Sequence, residues 1–219
     1  MRTRVKVCCI SSLEEAQLAI AAGADALGLV GPMPSGPGVI DDSLAAAVVR
    51  FTPPPVATFM LTSETTAEGI IAHQQRTGAN TIQLVDAVPS GTYAQIRAAL
   101  PAVKLVQVIH VVGDESLTDA LNAVAEGVDA LLLDSGNPSL AVKELGGTGR
   151  VHNWQVSRRI VESSAVPVFL AGGLKPENAR EAIETVRPFG LDICSGVRTN
   201  GNLDPEKLRA FFAVVGNAG

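Results

Sequence analysis

AAGADALGLV, residues 21–30, closes what reads as a helix, puts Gly23 and Asp25 at the break, and runs into an apolar strand. The same order returns in RTGANTIQLV (76–85), AEGVDALLLD (125–134) and RPFGLDICSG (187–196), on Gly78, Gly127 and Gly190. Successive copies lie about two strand–helix units apart, so the echo falls on every second strand. Around the copies, apolar runs of strand length alternate with segments whose apolar residues recur at three-to-four spacing. The strand candidates are VKVCCI (5–10), DALGLV (25–30), PVATFML (55–61), TIQLV (81–85), KLVQVIHV (104–111), DALLLD (129–134), VPVFLAG (166–172) and LDICSG (191–196). Strict alternation of strands and helices implies a parallel sheet with helical crossovers. This strand number, with an echo on alternate strands, predicts a closed (β/α)8 TIM barrel; an open doubly wound sheet usually has fewer strands and no such echo. A single domain over residues 1–219 is expected, because no linker or low-complexity stretch interrupts the pattern.

With 219 residues and 47% hydrophobic content, the chain can bury one sizeable core. Its net charge of -5 is spread without basic runs, which argues against a nucleic-acid or anionic-membrane partner and for a small-molecule one. The N-terminus is basic but lacks the apolar stretch of a signal peptide, and no run approaches the ~20 apolar residues of a membrane span. A cytoplasmic protein is therefore expected. Three cysteines, Cys8, Cys9 and Cys194, make an odd count that fits reduced thiols better than a disulfide framework.

In such a barrel the chemistry sits at the C-terminal ends of the strands, and phosphate is commonly held by the loops after the seventh and eighth. Alternation along VKVCCI puts Val5, Val7 and Cys9 on one face and Lys6, Cys8 and Ile10 on the other. The face under the helices must be apolar, so Lys6 assigns its own face to the interior. Cys8 then becomes the candidate reactive thiol and Cys9 a small buried hydrophobe; the competing reading is two core cysteines. Asp134 ends the sixth strand, where a carboxylate either caps the turn or serves as an acid or base over the mouth; its position favours the second role. Gly172 and Gly173 after strand seven, and Ser195 and Gly196 after strand eight, can offer backbone amides to an anion, or are ordinary turn residues. The Gly-rich segment 135–154 reads as a lid over Asp134, with Lys143, Arg150 and His152 on it or beside it. His73 reads as a helix-surface residue and His110 as a residue able to reach the mouth. No His, Cys or carboxylate pair has metal-ligand spacing.

KVCCI followed by LEEAQLAIAAGADALGLV, then IQL, LLLDS, GGTG (146–149), AGGLKPENAREAI and VRPFGLDICSGV, resembles the phosphoribosylanthranilate isomerases of tryptophan biosynthesis in order and spacing over nearly the whole chain. The resemblance implies a (β/α)8 barrel that needs no metal or organic cofactor. It also implies an Amadori rearrangement of an N-(5-phosphoribosyl) amine to a 1-amino-1-deoxyribulose 5-phosphate. Asp134 would be the general acid, Cys8 the general base, and Gly172, Gly173, Ser195 and Gly196 the phosphate site. The expected partner is a small phosphoribosyl substrate, with no nucleic acid and no membrane, the protein being a monomer or homodimer.

The chain departs from the family pattern on the amine side. P-x-S-x-R-x-I, whose arginine is expected to hold the anthranilate carboxylate, reads PSGPGVI with Gly38 at the arginine position. QLHG reads QLVD, with Val85 and Asp86; F-D-W reads His152, Asn153 and Trp154; and the glutamate of S-G-V-E is Arg198. Arg150, Arg198 and Gly38 are accordingly the candidate contacts to the amine half or the lid. Two alternatives follow: a sibling isomerase acting on another N-linked ribose phosphate, and a non-catalytic phosphoribosyl-ligand binding protein.

Overall fold

Parallel strands close into a barrel in the computed structural model, which describes residues 2–34, 36–136 and 151–216. They are β1 (Arg4–Val7), β2 (Ala26–Val30), β3 (Ala57–Thr62), β4 (Thr81–Leu84), β5 (Lys104–His110), β6 (Ala130–Asp134), β7 (Val168–Leu170) and β8 (Gly190–Ile193). Each pairs with the next in sequence, and β1 pairs with β8 to shut the ring. Helices α1 (Leu13–Ala22), α2 (Asp42–Phe51), α3 (Ala67–Thr77), α4 (Thr92–Ala99), α5 (Glu115–Ala125), α6 (Trp154–Ser163), α7 (Pro176–Val186) and α8 (Pro205–Gly216) follow the strands in turn. A short hairpin, β9 (Arg198–Thr199) with β10 (Asn202–Leu203), precedes the last helix. The sequence expectation of a (β/α)8 barrel is met strand for strand. Among the described residues no helix is long and apolar enough to cross a membrane.

Local chemistry explains where the elements begin and end. Ser12, Asp41 and Thr66 accept a backbone N–H of Glu15, Leu44 and Gly69 and so cap α1, α2 and α3. Gly23, Gly78 and Gly127 leave the helix ends at φ of 100°, 72° and 98°, values that a Cβ would penalise. The polar residue two places further on then turns back to the base of the preceding strand. Asp25 accepts the Val5 N–H at 2.9 Å, Asn80 the Thr58 N–H at 3.0 Å and Asp129 the Leu105 N–H at 2.9 Å. The echo is thus a repeated brace across the bottom of the barrel, joining β1, β3 and β5 each to the even strand that follows.

The fourth copy behaves differently. β8 begins at Gly190 itself, Arg187 takes the left-handed cap at φ 53°, and the equivalent polar residue, Asp192, falls inside the strand. A Cβ at Gly190 would stand 2.8 Å from the Phe169 ring, so close packing rather than backbone freedom explains that glycine.

Two apolar shells result. Val5, Val7, Ile10, Leu131, Leu133, Leu191 and Ile193 pack outward beneath the helices, while Cys8, Ala26, Phe59, Val106, Leu132 and Phe169 fill the interior. One expectation fails here. β1 ends at Val7, and Cys9 takes φ 61°, which breaks the alternation: Cys9 turns inward beside Cys8, and Ile10 goes to the outer shell. His73 is a second correction. It is buried, with Nδ1 2.9 Å from Thr62 Oγ1 and Nε2 3.1 Å from Asp42 Oδ1, and it occupies space left by Gly31.

The brace is testable at Asn80, whose Oδ1 holds the Thr58 amide. Asn80→Ala is expected to lower unfolding stability by about 1–2 kcal/mol through the orphaned amide, with the fold retained. Urea denaturation followed by circular dichroism checks this, and an unchanged midpoint would remove the brace from the account.

Candidate active site

The C-terminal rim of the barrel is built over a buried ion pair. Lys6 in β1 and Asp192 in β8 are register partners, and Nζ lies 2.8 Å from Oδ2. Lys6 is 0% exposed and Asp192 8%. Burial alone would drive the ammonium to lose its proton, but Asp192 and then Cys8 outweigh it and hold the Lys6 pKa above its ordinary value. Asp192 is pushed up by burial, which Lys6 opposes; the charge of nearby Asp134 adds to the rise. The Phe59 ring lies 5.4 Å from Nζ and closes the interior beneath the pair.

Cys8 comes directly after β1 and stands above this pair. Gly28 in β2 makes the room: a Cβ there would lie 2.7 Å from Cys8 Sγ and 3.0 Å from Lys6 Nζ. The Cys8 thiol is buried, and its pKa is drawn below the ordinary thiol value by the Cys9 thiol and by the Lys6 ammonium, against burial and the Asp192 charge. Cys9 shifts the other way, pushed up by its contacts with Cys194 and Cys8, and so remains a neutral thiol. This asymmetry separates two adjacent cysteines into a group primed to ionise and one that is not.

Asp134 ends β6 at the same rim, buried, with its Oδ1 accepting the Ser135 N–H at 2.7 Å. Its neighbour in register is His110 at the end of β5, whose Nε2–H donates to the Val85 carbonyl at 2.9 Å. His152 lies close enough to feel the Asp134 charge. Burial nevertheless pulls its pKa down to about 4, so the ring, held 2.7 Å from Ser157 Oγ, is neutral near pH 7.

The two glycine turns meet on the arc between β6 and β1. Gly172 and Gly173, at φ of 80° and 63°, carry the chain from β7 to α7, where Pro176 occupies the first turn. Asn178 ties this turn, accepting the Lys175 N–H at 2.9 Å and donating to the Gly173 carbonyl at 3.0 Å. Ser195 and Gly196 form a 3-10 turn after β8, and a Cβ at Gly196 would approach Leu174 O to 2.0 Å, so the two loops are packed backbone to backbone. Among the described residues, the amides of Gly172, Gly173, Ser195 and Gly196 have no protein acceptor. An anion over the α7 N-terminus could collect them.

Of the expected contacts to the amine half, Gly38 is on the β2–α2 connection and borders Cys9. The Arg198 guanidinium is engaged within the protein. It binds Glu15 through both terminal nitrogens at 2.8 and 2.9 Å, donates to the Gly201 carbonyl at 2.8 Å, and grips the carbonyls of Cys8 and Cys9. It fastens the Cys8–Cys9 segment to α1 and the β9–β10 hairpin. Arg150, Lys143 and most of the expected lid lie outside the described residues, and among those described no cluster could hold a metal ion. Asp192, Gly28 and Glu15 were not singled out in the sequence. Asp192 carried a signal, since it holds the echo's polar position inside an apolar strand, where only an opposite charge such as Lys6 would satisfy it.

Residues 5–214 match the family model described as N-(5'phosphoribosyl)anthranilate (PRA) isomerase. The chain is 38% identical over 210 residues to N-(5'-phosphoribosyl)anthranilate isomerase 2 of Methanosarcina mazei, covering 95% of this chain and 92% of that protein. Among solved structures, phosphoribosyl anthranilate isomerase from Thermus thermophilus superposes with a TM-score of 0.83 at 28% identity, covering 99% of this chain and 100% of the other. A phosphoribosyl anthranilate isomerase in complex with reduced 1-(o-carboxyphenylamino)-1-deoxyribulose 5-phosphate superposes at 0.81 and 26% identity, covering 98% and 99%.

The ion pair supplies a stability test. Lys6→Met strands the Asp192 charge in the interior and is expected to cost about 3–5 kcal/mol, whereas Lys6→Met combined with Asp192→Leu should recover much of that loss. Guanidinium unfolding of both variants and the wild type decides it; no recovery in the double variant would show that a stranded Asp192 charge is not the source of the loss.

Proposed function

Because this chain belongs to the N-(5'-phosphoribosyl)anthranilate isomerase family, we propose that it isomerises N-(5-phosphoribosyl)anthranilate to 1-(o-carboxyphenylamino)-1-deoxyribulose 5-phosphate. The observation that carries this reading is Cys8 above the Lys6–Asp192 pair, at a rim that also holds Asp134 and two open glycine turns. The substrate phosphate rests on the amides of Gly172, Gly173, Ser195 and Gly196, which fixes the ribose relative to the rim. Asp134 gives a proton to the furanose oxygen as the C1–O bond breaks, and the amine lone pair forms the C1=N bond. Cys8, as thiolate, removes the proton from C2; the electrons of that C–H bond make C1=C2 and return the C=N pair to nitrogen. Loss of the C2 hydroxyl proton with protonation at C1 gives the ketone, so the net change moves hydrogen within one molecule and calls for no redox partner.

Lys6 supports the base: its ammonium, held 2.8 Å from Asp192, favours the thiolate over the thiol. Gly38 favours a second reading, the sibling isomerase, in which the sugar phosphate is handled identically and the amine differs.

Loss of substrate fluorescence on adding purified protein to phosphoribosylanthranilate tests the first reading, and no turnover would leave the sibling. Cys8→Ser and Asp134→Asn should each lower kcat by about 10²-fold or more without altering thermal stability, as expected for removing one proton-transfer group. Full activity in either variant would refute that residue's role. The reaction needs Cys8 as thiolate together with a protonated acid, so kcat/KM should be bell-shaped in pH, with the limb that reports Cys8 centred below the ordinary thiol value of ~8.5. A Cys8 limb centred above it would mean that Cys8 is not the base.

A further inference from the structure

The β1–α1 and β2–α2 connections touch at two residues that each adopt a left-handed backbone. Cys9 has φ 61° and Gly38 φ 78°. A Cβ built on Gly38 would stand 2.5 Å from Cys9 Cβ, 3.0 Å from its Cα and 3.2 Å from its Sγ. Carbon atoms in contact need roughly 3.5–4.0 Å, so no side chain can begin at position 38 while one exists at position 9. Neither backbone is free to move aside. Arg198 holds the Cys9 carbonyl, the Ile10 amide donates to Gly28 O at 3.0 Å, and the Ile40 amide donates to Val30 O at 2.9 Å beside the Val30–Val39 bridge.

Chemistry at this contact is neutral. Cys9 is buried beside Cys8, and half-buried Cys194 packs against them. Among the described residues, the cations beside this contact are already matched, Arg198 with Glu15 and Lys6 with Asp192. We propose that Cys9 and Gly38 form a matched specificity pair: the Cys9 side chain takes the space where a residue at 38 would start, and the amine half of the substrate meets an uncharged thiol wall there instead of a cation. This rests on the reaction assigned above. It predicts that a carboxylate on the aryl ring adds little to binding, whereas a guanidinium placed at 38 would add a charge-assisted bond read as roughly tenfold or more.

Cys9 also touches Cys8, so the test reads binding rather than turnover. Titration calorimetry would compare reduced 1-(o-carboxyphenylamino)-1-deoxyribulose 5-phosphate with its phenylamino counterpart, which lacks the ring carboxylate. The wild type is expected to bind the two within about threefold, a margin well under one charge-assisted bond. Gly38→Arg alone should lower the melting temperature without raising the ratio, and Cys9→Gly with Gly38→Arg should raise it about tenfold or more in favour of the carboxylated ligand. A wild-type preference above tenfold would overturn the inference without needing either variant, and so would an equal gain in the single and double variants. Binding of both ligands with the expected ratios but no turnover of phosphoribosylanthranilate would retire the reaction and leave the pair standing. Absence of binding to either ligand would overturn both.

Discussion

Everything at the rim depends on one buried ion pair. An ammonium and a carboxylate inside a barrel lose their hydration, a penalty of several kcal/mol per ion that is recovered only by close and well-oriented pairing. Lys6 and Asp192 achieve that across the seam where the first and last strands close the ring. Either residue alone would be a buried charge without compensation, and together they put positive charge beneath Cys8 and negative charge toward Asp134. The same contact therefore closes the barrel and places an ammonium where it lowers the proton affinity of the Cys8 thiol.

Glycines shape the site by what they leave empty. Gly28 is a hollow filled by Cys8 and Lys6, Gly38 one filled by Cys9, and Gly196 one filled by the Leu174 carbonyl. Each lets a functional group or a backbone come closer than any side chain would permit. Gly172 and Gly173 act by conformation instead, turning the chain through left-handed backbone between β7 and α7. Interior close packing and backbone geometry thus do separate jobs with one residue type, and only the local structure distinguishes them.

Strand and helix positions were legible because periodicity and punctuation agreed along the whole chain, and a barrel follows from strict alternation. The strand ends pointed to Cys8, Asp134 and the two glycine turns for the same reason. What was not legible depended on events after a strand stops. Alternation describes extended backbone, so it carried Cys9 to the wrong side once φ changed sign at that residue. Helical periodicity put His73 on a surface that Gly31 and Thr62 in fact cover. Arg198 looked available because its partner Glu15 is distant in sequence and reads as an ordinary first-turn acid of α1. Asp192 shows the reverse case: its position in the echo was visible, but its meaning required knowing that β1 would lie beside it.

The seam also imposes an order on assembly. Lys6 and Asp192 are 186 residues apart, and contacts of that separation form late because the intervening chain must first be brought together. During synthesis the N-terminal strand emerges first and waits for nearly the entire chain before its lysine finds a counter-ion. Until then Cys8 lacks both the carboxylate beneath Lys6 and the clasp of Arg198, and it is an ordinary thiol on an unfinished strand. The lowered proton affinity of this thiol is therefore a late product of folding, acquired only when the ring is complete.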